Sequence, residues 1–169
     1  MSLIDHALRT AEQTRAVVMG RNVLGRTGPL FGQMFPGKRV LVVADENTYR
    51  AAGPPVVASL VEAGVTLASE PLIFPGTPTL YADYTNVERI RERLRALDDT
   101  VICSIASGTL NDLAKLASGE LGRPYLNVCT AASVDGYTAF GAAITRDGFK
   151  ITRACPAPVA IVADIDVIA

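Results

Sequence analysis

The segment ASGTLNDLAKLAS, residues 106–118, follows directly on the apolar run TVICSI. A buried strand that ends in a small-residue turn and opens a helix is where α/β proteins seat a phosphate, because the first helical N–H groups have no partner and point outward. Gly108 would let the backbone approach a diphosphate, and Thr109 and Asp112 would cap the helix or touch the ligand. A plain strand-to-helix connection with a Gly turn looks the same, so this stretch alone leaves both readings open.

Two further polar loops follow apolar runs, ADENTY at residues 44–49 and TAASVDG at residues 130–136. Asp45 stands where an acid can hydrogen-bond a ribose hydroxyl, or else cap a helix. Thr130 and Ser133 offer hydroxyls. Asp135 follows the uncharged TAASV and precedes Gly136 and Tyr137, so it is either a functional acid or an Asx-turn residue. Tyr137 and Lys115 are conceivable proton carriers, although Lys115 falls in mid-helix and reads as structural. The sole histidine is His6. With no H-E-x-x-H, no G-x-S-x-G and no histidine cluster, no catalytic or metal-ligating set is assigned within this chain.

The elements that must position these loops alternate. RAVVMG reads as a first strand, followed by a Gly-interrupted helix in NVLGRTGPLFGQMF. KRVLVVAD is a continuous apolar strand, as buried parallel strands are. PPVVASLVEAG reads as a helix with prolines in its first turn and Gly64 at its stop. VTLASEPLIF is the next strand, and YTNVERIRERLRAL a helix opened by a Thr85/Glu88 capping box. On that helix Glu88 and Glu92 precede Arg91 and Arg95 by three, as on a solvated face. Then come strand TVICSI, a helix from Thr109 to about Leu121, and strand PYLNVCT. AAITRDGFKITRA alternates about Asp147-Gly148, a hairpin signal, and APVAIVAD is one more buried strand before IDVIA begins a helix. The order implies an α/β fold: a Rossmann-like parallel sheet with helices on both faces and a β-hairpin insertion. The three polar loops then converge at the carboxyl ends of the strands, where such sheets bind ligands.

A chain of 169 residues, 49% hydrophobic and 20% charged, suits one good-sized domain, or one domain and a fragment of another, with enough apolar residues for a substantial core. A net charge of −1, with acids interleaved among the arginines, argues against nucleic acid as partner. No apolar run reaches membrane-spanning length and no leader h-region is present. The three cysteines, Cys103, Cys129 and Cys155, lie far apart in apolar contexts and fit a reducing, cytoplasmic setting.

ASGTLNDLAK followed by PYLNVCTAASVDG resembles the dinucleotide domain of the dehydroquinate synthase-like and iron-containing alcohol dehydrogenase superfamily, most of all its glycerol-1-phosphate dehydrogenase and glycerol dehydrogenase branches. There a G-x-G-T-x-N-D turn precedes T-A-A-S-x-D-G, and the likeness covers nearly the whole chain. It departs at Ala106, where the family has Gly, and at Val134 and Ala139. The resemblance implies that residues 1–169 are an N-terminal domain that binds NAD or NADP, with Asp45 on the adenosine ribose and Gly108, Thr109 and Asp112 along the diphosphate and nicotinamide. Thr130 and Ser133 would also meet the cofactor, and Asp135 the substrate, a polyol or polyol phosphate. It further implies zinc or iron held by one Asp and two His of a helical C-terminal domain absent from this chain, where the metal polarises the substrate hydroxyl. A homo-oligomer is expected. A dehydroquinate synthase-like lyase and a non-catalytic nucleotide-binding module are the alternatives.

Overall fold

A computed structural model describes residues 3–134 and 136–169; Asp135 lies outside the described residues. After a short helix α1 (Leu3–Leu8), strand β1 (Ala16–Gly20) and a single 3₁₀ turn lead into α2 (Thr27–Met34). Then follow β2 (Arg39–Asp45), α3 (Glu46–Glu62), β3 (Leu72–Phe74), α4 (Tyr84–Arg95), β4 (Thr100–Ala106), α5 (Gly108–Glu120) and β5 (Tyr125–Cys129). A hairpin of β6 (Ala142–Arg146) and β7 (Phe149–Arg153) precedes β8 (Ala160–Asp164) and α6 (Ile165–Ile168). The main sheet is parallel throughout, in the order β1-β8-β5-β4-β2-β3. Among the described residues no helix is long and apolar enough to cross a membrane.

Alternation along the strands splits the core in two. Val40, Val42 and Ala44 face α2 and α3 together with Val101, Cys103 and Ile105. Their neighbours Leu41, Val43 and Ile102 face α4 and α5. Because both faces are covered, β2 and β4 read as unbroken apolar runs. Each fully buried Val, Leu or Ile among them stabilises the fold by about 1.5–3 kcal/mol. The α2–α3 crossing is unusually close. A Cβ on Gly28 would stand 1.9 Å from the Ser59 carbonyl oxygen, and the Gly28 N–H donates to Ser59 Oγ at 2.9 Å.

The parallel sheet, its two helical faces and the hairpin match the sequence expectation. Asp147 (φ 52°) and Gly148 (φ 81°) form the two-residue turn in left-handed backbone, which matches the twist of the flanking strands. Three boundaries differ. Helix α3 starts at Glu46, eight residues before Pro54, so both prolines lie inside it. Its start is fixed instead by Asp45, whose carboxylate accepts from the Asn47 and Thr48 N–H groups at 2.8 and 2.9 Å, while the Asp45 N–H donates to Thr48 Oγ1 at 3.0 Å. That reciprocal box sets where the helix begins, and the prolines forfeit two hydrogen bonds farther along it. Helix α4 is capped by Asp83, which accepts from the Thr85 N–H at 2.9 Å, and not by Thr85. Strand β3 is cut to three residues. On α4 the Glu88–Arg91 pair forms at 3.6 Å, but Arg91 is mostly engaged with Glu120 of α5 at 2.6 Å.

Candidate functional site

Strand β2 leads by α3 outward to β3, whereas its neighbour β4 leads by α5 the other way to β5. The two connections diverge and leave a crevice between the carboxyl ends of β2 and β4, the place where open α/β sheets bind ligands. A cleft of about 330 Å³ opens there, lined by Asp45, Thr48, Gly76, Thr79, Ser107 and Thr109 among others.

The two helices that start at this cleft begin differently. Helix α3 is closed by the Asp45 box, and both capping bonds fall on Oδ1, which leaves Oδ2 of this cleft-lining residue for another donor. Helix α5 follows Ser107, extended at φ −83° and ψ −171°, whose side chain makes no capping bond. The first helical bond there runs from the Asn111 N–H to the Ser107 carbonyl at 2.9 Å. The N–H groups of Gly108, Thr109 and Leu110 therefore have no partner within the helix. Among the described residues no Lys or Arg lines the cleft, so an anion bound there would be held by those N–H groups and the helix dipole.

The TAASVDG loop lies alongside. Its first N–H, of Thr130, donates to the Ala106 carbonyl at 3.2 Å, and the Ala132 N–H to that of Ile168 at 3.2 Å. Thr130 Oγ1 is buried without a hydrogen-bond partner, Ser133 is exposed, and Val134 approaches Gly108 so closely that a Cβ there would lie 3.1 Å from it. The structure thus gathers Asp45, Gly108, Thr109 and Thr130 at one end of the sheet. Asp112 turns elsewhere. Its Oδ2 accepts from the Ala143 N–H at the start of the hairpin at 3.1 Å, and burial raises its carboxyl pKa against the opposing pull of that N–H, Lys115 and Lys150.

Neither conceivable proton carrier is free to act as one. The Tyr137 hydroxyl lies 3.0 Å from the Ala131 carbonyl and 3.3 Å from that of Ala106, and burial pushes its pKa to about 12. The Lys115 ammonium, wholly buried, donates to three loop carbonyls. Ser107 was not singled out in the sequence, although a Ser before Gly-Thr is an N-cap signal. Asp164, which no sequence motif marks, accepts with its carboxylate from the Asn22, Val23, Leu24 and Asp166 N–H groups at 2.7–3.2 Å.

The residues suit a dinucleotide: an uncapped helix start for the diphosphate after β4, an acid oxygen for a ribose at the end of β2 on one side of it, and an orphaned hydroxyl after β5 on the other. They do not suit a resident metal, because no group of three or more His, Cys, Asp or Glu that could hold one occurs among the described residues.

The chain resembles known proteins over most of its length. The chain is 39% identical over 128 residues to a glycerol-1-phosphate dehydrogenase [NAD(P)+] of Halalkalibacterium halodurans, covering 75% of this chain and 32% of the relative. It is 31% identical over 168 residues to one from Methanosarcina barkeri, covering 99% and 45%. The chain therefore spans less than half the length of these curated relatives. The crystal structure of glycerol dehydrogenase from Schizosaccharomyces pombe superimposes with a TM-score of 0.74 at 25% identity, covering 94% of this chain and 40% of that one. Residues 18–169 match the model of one family: the chain belongs to the iron-containing alcohol dehydrogenases.

Proposed function

We propose that residues 1–169 are the nucleotide-binding part of an NAD(P)-dependent dehydrogenase acting on a polyol or polyol phosphate, glycerol 1-phosphate or glycerol. The observation that carries this reading is the uncapped start of α5 at the switch-point cleft, which Asp45 with its spare oxygen also lines.

In this reading the N–H groups of Gly108 and Thr109 take the diphosphate, and Asp45 Oδ2 accepts from a ribose hydroxyl. Thr130 Oγ1 gains the partner it lacks, and Ser133, exposed on the same loop, adds a second hydroxyl. Asp112 contributes by holding the hairpin through Ala143. Asp135, assigned from the resemblance, accepts hydrogen bonds from the substrate's hydroxyls. The dinucleotide supplies the hydride-transfer chemistry when bound. These residues orient it and leave the proton and the metal chemistry to other groups, since no described residue set here fits a zinc or iron ion.

The test is titration of the whole protein with NADH and NADPH, followed by cofactor reduction with glycerol and with glycerol 1-phosphate. Saturable cofactor binding with turnover of either substrate supports the reading. A protein that binds neither cofactor contradicts it.

A further inference from the structure

A lysine inside a helix usually keeps its ammonium in water, because removing an unpaired charge from water costs several kcal/mol. Lys115 does the opposite. Its side chain is 0% exposed, and Nζ lies 3.1 Å from the Gly136 carbonyl oxygen, 2.9 Å from that of Ala139 and 3.2 Å from that of Gly141. An ammonium has three N–H donors, and all three are matched by carbonyls of one six-residue stretch of loop. The nearest carboxylate, Asp112 one turn earlier, stands off at 3.8 Å and spends its other oxygen on the Ala143 N–H at 3.1 Å. The pair therefore grips the loop near Gly136 with the cation and where it enters β6 with the anion. Helix α5 itself is fixed against β4 through Leu110, Leu113 and Ala114.

We infer that Lys115 is a positioning residue that fixes the backbone of residues 136–141 as an extension of α5, and with it the loop proposed above to meet the cofactor. The link to the front half of that loop is Tyr137, whose hydroxyl is bonded to the Ala131 carbonyl at 3.0 Å. Lys115 has no donor left over for a ligand or for proton transfer. Its service to the site is geometric. The cofactor part of this inference rests on the reading under Proposed function.

Lys115→Met in the whole protein keeps the length of the chain and removes the charge and the donors. Amide hydrogen exchange followed by mass spectrometry should show residues 131–143 exchanging at least tenfold faster, with α5 and β4 unchanged. The NADH dissociation constant should rise at least fivefold. A purely structural role would lower only the fraction of competent molecules and leave that constant where it was. Faster loop exchange with unaltered NADH affinity leaves the clamp standing and counts instead against the assignment of this loop to the cofactor. Unchanged exchange over 131–143 overturns the inference. So does a variant that fails to fold at all, because the ammonium would then be holding the core rather than the loop.

Discussion

Ser107 and Asp45 line one cleft as the N-caps of α5 and α3, and only Asp45 performs the capping. A capping side chain is worth about 1 kcal/mol, so an open helix start at the carboxyl edge of a sheet forgoes stability where a ligand anion would restore it. The spare oxygen of Asp45 and the open N–H groups of α5 are the two halves of this account.

Asp45→Asn tests the first half. Asn retains one acceptor oxygen for the Asn47 and Thr48 N–H groups, so α3 should stay capped, while the charge beside a ribose is lost. An acid there favours a ribose hydroxyl over a ribose phosphate. The ratio of NAD to NADP affinity should fall roughly ten- to a hundredfold, the equivalent of one charge-assisted bond of about 1.5–3 kcal/mol. Fluorescence titration with both reduced cofactors measures it, and an unmoved ratio would leave Asp45 as a helix cap alone.

Asp135→Asn should act on the substrate and hardly on the cofactor. Loss of a charge-assisted bond to a polyol hydroxyl lowers kcat/KM by roughly ten- to a hundredfold. NADH affinity should change by less than about twofold, well inside 1 kcal/mol. Steady-state kinetics on both glycerol and glycerol 1-phosphate, beside an NADH titration, separates the two; lost cofactor binding with normal substrate kinetics would reverse the roles of the loops.

Asp164 links pH to stability. Burial alone would raise its carboxyl pKa, but the four N–H groups it accepts from, those of Asp166, Val23, Leu24 and Asn22, prevail and hold it below the ordinary value. A carboxylate depressed in this way contributes stability that is complete above its unfolded value of about 3.9 and is lost as pH falls through the folded one. Asp164→Asn should therefore cost about 1.5–3 kcal/mol near neutrality, or roughly 3–12 °C in Tm for a protein of this size. The gap to the parent should begin to narrow below about pH 4 and close as pH falls through the lower folded value. Thermal melts across a pH series would show it, and a gap independent of pH would contradict the assignment.

Two glycines of α2 should diverge. A Cβ on Gly28 meets the Ser59 carbonyl at 1.9 Å, whereas one on Gly32 meets nothing within 4 Å. Gly28→Ala should cost about 1–3 kcal/mol or more through forced separation of α2 and α3. Gly32→Ala should be neutral or stabilising by up to about 1 kcal/mol. Chemical denaturation of both variants checks the contrast.

The layout of the sheet was legible because β2 and β4 are buried on both faces and so carry apolar runs that only a parallel sheet explains. The hairpin was legible from Asp147-Gly148 for an equally local reason. The start of α3 was not, because prolines at 54 and 55 look like a first turn unless the Asp45–Thr48 box three residues apart is given more weight. Of the site, Asp45, Gly108, Thr109 and Thr130 could be read from strand ends, which topology brings together. Lys115 could not be read as a loop clamp, since its partners are backbone carbonyls twenty-one or more residues away that leave no mark in side-chain identity. Asp112 was legible as an acid near the turn, but its direction toward Ala143 depends on where the hairpin packs.

The uncapped helix start is open to one direct measurement. Ser107→Asp supplies the capping carboxylate that α5 lacks and so fills the proposed diphosphate seat from within the chain. Asp is a better N-cap than an unbonded Ser and favours the positive end of the helix dipole, so Tm should rise, by up to about 1 kcal/mol of added stability. NADH affinity, titrated in the same preparation, should fall at least tenfold, about 1.4 kcal/mol or more. A protein made more stable and unable to hold the dinucleotide is the result this account predicts; one that binds NADH as tightly as before, with α5 capped, would contradict it.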